Sequence, residues 1–70
     1  MVNRKGLARA IKIARSKAEL TQREMASKSG VSYGAVINLE RGVVDTRLET
    51  IVRLCKVLNV SEDEFIKYYE

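Results

Sequence analysis

An all-α fold of five short helices in one domain is what this 70-residue sequence predicts. Three observations predict it. Apolar residues recur at three- and four-residue spacing, the period of a helix that buries one face. A hydroxyl residue stands three positions ahead of a Glu at Thr21/Glu24, Thr46/Glu49 and Ser61/Glu64. In that pattern the two side chains each satisfy a free backbone N–H at a helix start. There is no Pro, and Gly30 and Gly42 fall where the apolar periodicity lapses. Glycine there can end a helix in the left-handed conformation at little cost.

The first helix is expected over about residues 5–17, with Leu7, Ile11, Ala14 and Ala18 on one stripe and Lys5, Arg9, Lys12 and Ser16 on the opposite side. The second covers about 22–29, opened by Thr21/Glu24 and closed by Gly30. The third covers about 33–41, capped by Ser32 and closed by Gly42. Thr46/Glu49 opens the fourth, which runs to about residue 58 with Leu48, Ile51, Leu54, Cys55 and Leu58 as its stripe. Ser61/Glu64 opens the fifth, where Phe65 faces the core with Ile66, Tyr68 and Tyr69 nearby.

The segment from Thr21 to Gly42 carries the functional signal. Two short helices across a tight glycine turn are the sequence form of a helix-turn-helix, whose second helix enters the major groove of DNA. A small residue at Ala26 lets the second helix of the pair cross closely over the first, and Val31, Val36 and Leu39 form the underside of that second helix. Sequence-specific binding of double-stranded DNA is therefore the leading expectation.

Charge distribution agrees. The net charge is +4, from 13 basic and 9 acidic residues. Residues 1–18 hold Arg4, Lys5, Arg9, Lys12, Arg15 and Lys17 and no acid, whereas residues 61–70 hold Glu62, Asp63, Glu64 and Glu70 against Lys67. One end favours phosphate and the other does not. No stretch approaches the roughly 18 apolar residues of a membrane span, and no signal peptide is expected, so the location expected is cytoplasmic. With no His and a lone Cys55, neither metal stapling nor an internal disulfide is expected. Cys55 sits on an apolar stripe and reads as a small core residue. Without His the commonest general base is missing, and no cofactor and no enzymatic activity are expected.

On a helical wheel Arg15 flanks the buried stripe of the first helix and Glu40 flanks the buried side of the third, beside Val36. Charges at the margin of a core need partners, so the two are expected to meet and lock these helices together.

The run Thr21-Gln22-x-Glu24-Met25-Ala26, then Ser29-Gly30-Val31-Ser32, then Leu39-Glu40-Arg41-Gly42, resembles the phage Cro/C1-type (XRE-like) helix-turn-helix family. Leu48-Glu49-Thr50-Ile51 and Leu58-Asn59-Val60-Ser61 resemble that family's fourth and fifth helices. The resemblance covers about residues 7–66. It implies a compact five-helix, lambda-repressor-like DNA-binding domain that works as a symmetric dimer. It implies phosphate contacts at Gln22 and Ser32, with Arg23 expected beside them, and base-facing positions at Tyr33, Gly34 and Asn38. It also implies a structural Arg15–Glu40 pair. Ile37 and Arg41 complete the outward face of the third helix, Ile37 as a contact for thymine methyls or for a protein partner. Gly34 and Ala35 depart from the family by standing where longer polar side chains often read bases. Thr46 stands where Pro is common.

The function expected is a transcriptional regulator, a repressor or autoregulator, binding a palindromic operator as a homodimer. A phage-type repressor, a restriction–modification controller and an antitoxin-like regulator all suit the size. The alternative is a protein-interaction adaptor that uses the face bearing Tyr33 and Ile37 for protein. The dimer surface is expected at Val60, Ile66 and Tyr69, away from the basic face.

Overall fold

The computed structural model describes residues 2–70. Five helices follow in order: α1 (Arg4–Lys17), α2 (Gln22–Ser29), α3 (Tyr33–Arg41), α4 (Leu48–Leu58) and α5 (Asp63–Ile66), the last continued by a 3-10 turn over Lys67–Tyr69. There is no strand among the described residues. α3 packs between α1 and α2, and α2 packs also on α4.

Each early boundary has a local chemical cause. Asn3 caps α1 by accepting from the Gly6 N–H at 2.9 Å. The expected Thr21/Glu24 box is complete: Thr21 Oγ1 accepts from the Glu24 N–H at 3.0 Å, and Glu24 Oε1 accepts from the Thr21 N–H at 2.8 Å. That second bond holds the Glu24 carboxyl below its usual pKa. Gly30 then closes α2 at φ 76°, Ser32 accepts from the Ala35 N–H, and Gly42 closes α3 at φ 71°. α1 stops without glycine, because Glu19 itself takes φ 58°. Asn59 does the same after α4 at φ 57°; Asn tolerates this region better than Glu does.

The later boundaries differ from expectation. α4 opens at Leu48 with Arg47 as its cap residue, and no side chain caps it. Thr46 lies one residue too early for a box. Its hydroxyl is buried without a partner among the described residues, and its carbonyl accepts from the Tyr69 hydroxyl at 2.6 Å. Glu49 instead lies near Arg47 at the surface, 3.5 Å away. Ser61 Oγ accepts from the Asp63 N–H rather than from that of Glu64, and Glu62 is the cap residue of α5 with no side-chain cap, so the expected third box does not form. The last helix is accordingly a single turn.

The core draws on every helix: Leu7 and Ile11 from α1, Met25 and Ala26 from α2, Val36 and Leu39 from α3, Ile51, Leu54, Cys55 and Leu58 from α4, and Phe65 from α5. Burying one such Leu or Ile contributes about 1.5–3 kcal/mol, so short helices with little intrinsic stability persist by packing. Leu48, expected on the stripe, is exposed instead, because it stands in the first turn of α4 ahead of the packed region. Cys55 is a core residue, and burial, assisted by Glu62 and Glu64, pushes its thiol pKa up to about 11.

Candidate nucleic-acid interface

The turn at Gly30 sets α3 across α2, and capping by Ser32 fixes where α3 begins. Val36 and Leu39 point inward and are buried, and Val31 packs half-buried beside them. Period-3.6 geometry then sends Gly34, Asn38 and Arg41 outward, and all three are exposed. Ile37 is half-buried at the side of the same helix. Nothing lies within 4 Å of a Cβ built on Gly34, and φ is not positive there, so the fold itself does not require glycine at that position.

Tyr33 is half-buried, and the Arg23 guanidinium lies over its ring at 4.2 Å from the centroid. This contact brings an expected phosphate residue against an expected base-facing residue. It holds both at the junction of α2 and α3 by cation–π attraction. Ser32 is exposed, but its hydroxyl oxygen is engaged as the α3 cap.

The base of α3 is anchored by one buried carboxylate. Glu40 is the buried charged residue among the described residues, with its side chain 1% exposed. Arg15 meets it with both faces of the guanidinium fork: Nε donates to Oε2 at 2.8 Å and Nη2 donates to Oε1 at 2.9 Å. Nη1 donates to the Leu20 carbonyl at 2.9 Å, which ties the α1–α2 turn into the same cluster. The hydrogen bond to Glu40 raises the Arg15 pKa above its ordinary value. Bidentate charge-assisted bonds of this kind are the strong ones.

A third donor reaches the same carboxylate. Gln22 Nε2 donates to Glu40 Oε1 at 3.1 Å. Gln22 is the first residue of α2, where amide groups lack intrahelical acceptors and the helix dipole is positive. Its carboxamide is thus engaged by its own domain, which leaves the backbone N–H groups of the first turn as the donors an anion at the helix start would use. Neither helical wheels nor capping patterns expose this link, since 18 residues separate the partners. Arg4 and Asp45 form a further link of that type, Nε to Oδ1 at 2.6 Å, joining α1 to the loop after α3. The pair lies at the surface, where it lowers the Asp45 pKa and raises that of Arg4.

A helix-turn-helix sequence model, HTH_3, matches residues 7–65. The chain belongs to the helix-turn-helix family HTH_3. Solved structures agree with this membership. The clp gene regulator ClgR from Corynebacterium glutamicum is 29% identical with a TM-score of 0.85 over 97% of this chain and 72% of that one. A second structure of the same regulator gives 29%, 0.84, 97% and 88%. An HTH_3 family transcriptional regulator from Vibrio cholerae is 23% identical with a TM-score of 0.85. It shares the fold; 93% of this chain is covered, but only 36% of that protein. No curated protein sequence matches the chain. The family and the ClgR structures support a DNA-binding role in transcription regulation.

The expected dimer residues do not behave alike. Ile66 is 41% exposed. Val60 is half-buried against the core, and Tyr69 is half-buried with its hydroxyl committed to the Thr46 carbonyl. Tyr69 thus serves its own chain, bracing the loop between α3 and α4. Among the described residues no group of three or more His, Cys, Asp or Glu side chains is placed to hold a metal, and no helix is long and apolar enough to cross a membrane.

Proposed function

We propose that this HTH_3 protein is a sequence-specific regulator of transcription that represses by binding a palindromic operator as a homodimer. The observation that carries the reading is the exposed Gly34–Asn38–Arg41 face of α3, set on a base locked by Arg15 and Glu40. Asn38 reads adenine through a bidentate pair, and Arg41 adds a guanine or phosphate contact at the far end of the helix. Gln22, Arg23 and Ser32 hold the backbone at the start of the motif and set register rather than sequence. One such face reads a half-site, so two copies sit about 34 Å apart on one side of the duplex. Occluding a promoter needs no further surface.

Selection from randomised duplexes, followed by mobility shift on the recovered site, tests this. Asn38→Ala is expected to cost about 1–3 kcal/mol on the recovered site and to relax preference at one base pair. Equal losses on the recovered and on random DNA would remove Asn38 from base reading. Failure to recover any site at low salt would favour a protein-binding role for the Tyr33–Ile37 side of α3.

A further inference from the structure

An open groove of about 750 Å³ runs between α1 and the C-terminal turn, and among the described residues none of α2 or α3 lines it. Two rows of α1 residues build one side, each stepping by four residues and so running along one face of the helix. Gly6, Ala10, Ala14 and Ala18 are half-buried and form the floor. Lys5, Arg9, Ile13 and Lys17 are exposed and form the rim. Val60 and Tyr68 stand on the far side. That wall is held in place at one end: the Asn3 N–H donates to the Tyr68 carbonyl at 2.6 Å, and a Cβ on Gly6 would meet the Tyr68 ring at 2.8 Å. Small side chains along the floor leave a furrow, and a furrow at i±4 spacing is what a ridge of another helix packs into.

The charge around this furrow is one-sided. Four cations, Lys5, Arg9, Lys17 and Lys67, share the lining with one carboxylate, Glu64. Among the described residues none of these five has an ion-pair partner within 4.0 Å. Lys67 lies over the Tyr68 ring, 5.4 Å from its centroid. In the middle of the cationic rim stands Ile13, 49% exposed.

We infer that this groove receives an acidic amphipathic helix of a partner protein, with its apolar ridge on Ile13 and the Ala10–Ala14 furrow and its carboxylates on Lys5, Arg9 and Lys17. Lys5 and Lys17 are about 18 Å apart along α1, at 1.5 Å per residue. A single phosphate or carboxylate reaches one end or the other, whereas carboxylates repeated along a helix reach all three cations. Duplex phosphates match the cations but offer no apolar surface to Ile13. A bilayer is entered by a protruding apolar face, not by a recess. An apolar helix face laid in a groove, with flanking charge setting its orientation, satisfies both the floor and the rim. The site is independent of the operator reading, and the Gly34–Asn38–Arg41 face stays open while the partner is bound.

A displayed library of helices of about 14 residues tests this on the full chain, each with a fixed leucine ridge and flanks randomised among Glu, Lys and Gln. Selection is expected to enrich Glu on the flanks. Recovery without Glu there, or no recovery, overturns the inference. The recovered peptide is then labelled and titrated by fluorescence anisotropy. Arg9→Glu with Lys17→Glu should weaken it at least roughly tenfold, because carboxylates then face carboxylates. Ile13→Asp should weaken it as well. Lys12→Glu with Lys56→Glu makes the same change in net charge outside the groove and should leave the affinity unchanged. All five residues are exposed, so circular dichroism should report an unchanged fold. A Lys-flanked copy of the peptide should bind the Arg9/Lys17 variant in preference to the parent, a gain that an unfolded variant could not show. Equal losses in the two double variants would reduce the binding to net charge and overturn the inference. Laurate, a short duplex and sedimentation of the chain alone cover the other occupants. If the Arg9/Lys17 change abolishes one of those associations while the peptide binds as before, the groove belongs to a lipid, to phosphate or to a second copy, and the inference fails.

Discussion

Replacing Arg15 with Met should destabilise the domain more than replacing Glu40 with Leu, although both remove one half of the same pair. Arg15→Met deletes the bonds at 2.8 and 2.9 Å and leaves the Glu40 carboxylate with only the Gln22 amide at 3.1 Å. That carboxylate is 1% exposed and has no route to water. A stranded buried charge costs about 3–5 kcal/mol, which is close to the entire stability of a core this small. The Leu20 carbonyl also loses its guanidinium donor. In Glu40→Leu the stranded partner is Arg15, whose side chain is 21% exposed and can turn outward. Its cost should fall nearer the about 1–3 kcal/mol of a lost hydrogen-bonding partner. The double variant should lose less than the two single losses combined, with a coupling of about 0.5–3 kcal/mol. Urea unfolding followed by far-ultraviolet circular dichroism measures all four proteins. At about 4–8 °C per kcal/mol for a domain of this size, thermal midpoints give an independent scale. The reverse order of the two single variants, or additive losses below about 0.5 kcal/mol each, would refute the argument from burial.

Three other outcomes follow from the same geometry. Gln22→Ala should weaken binding to all duplexes about alike and leave base preference unchanged, as read by mobility shift on cognate and scrambled sites; a change of preference would make Gln22 a base reader. Gly34→Ala should raise stability by about 0.5–1 kcal/mol, because open space surrounds the new methyl in a helical backbone. If bases approach α3 closely at that point, the same variant loses operator affinity despite being more stable, and a gain in both would refute a role for Gly34 in close approach. Thr46→Val should be neutral or stabilising by up to about 1 kcal/mol in urea unfolding, because it removes a buried hydroxyl that has no partner; a loss above about 1 kcal/mol would mean that the hydroxyl is satisfied.

Much of the fold was legible in residue order because its causes are local. Thr21 and Glu24 are three residues apart, and their reciprocal bonds need only the first turn of a helix to exist. Gly30 and Gly42 end α2 and α3 because the required left-handed backbone is cheap only for a residue without Cβ. The stripes of α1, α3 and α4 follow from helical period, and so do the outward positions of Gly34, Asn38 and Arg41. Arg15 and Glu40 could be paired because both flank buried stripes and a low-dielectric margin leaves few other partners.

Tertiary packing decided what local pattern could not. Thr46/Glu49 has the same lettering as Thr21/Glu24, yet α4 begins one residue later, since Tyr69 draws the Thr46 carbonyl and the loop is held from the C-terminal turn 23 residues away. Glu19 ends α1 in a conformation that no residue type announces, where the Leu20 carbonyl is needed by Arg15. The third bond to Glu40, from Gln22, arises only because α1, α2 and α3 converge on one carboxylate. Residue order encodes short-range bonds and periodicity. Which backbone groups and charges meet across 18 to 41 residues is set by how the helices cross, and only the folded chain contains that.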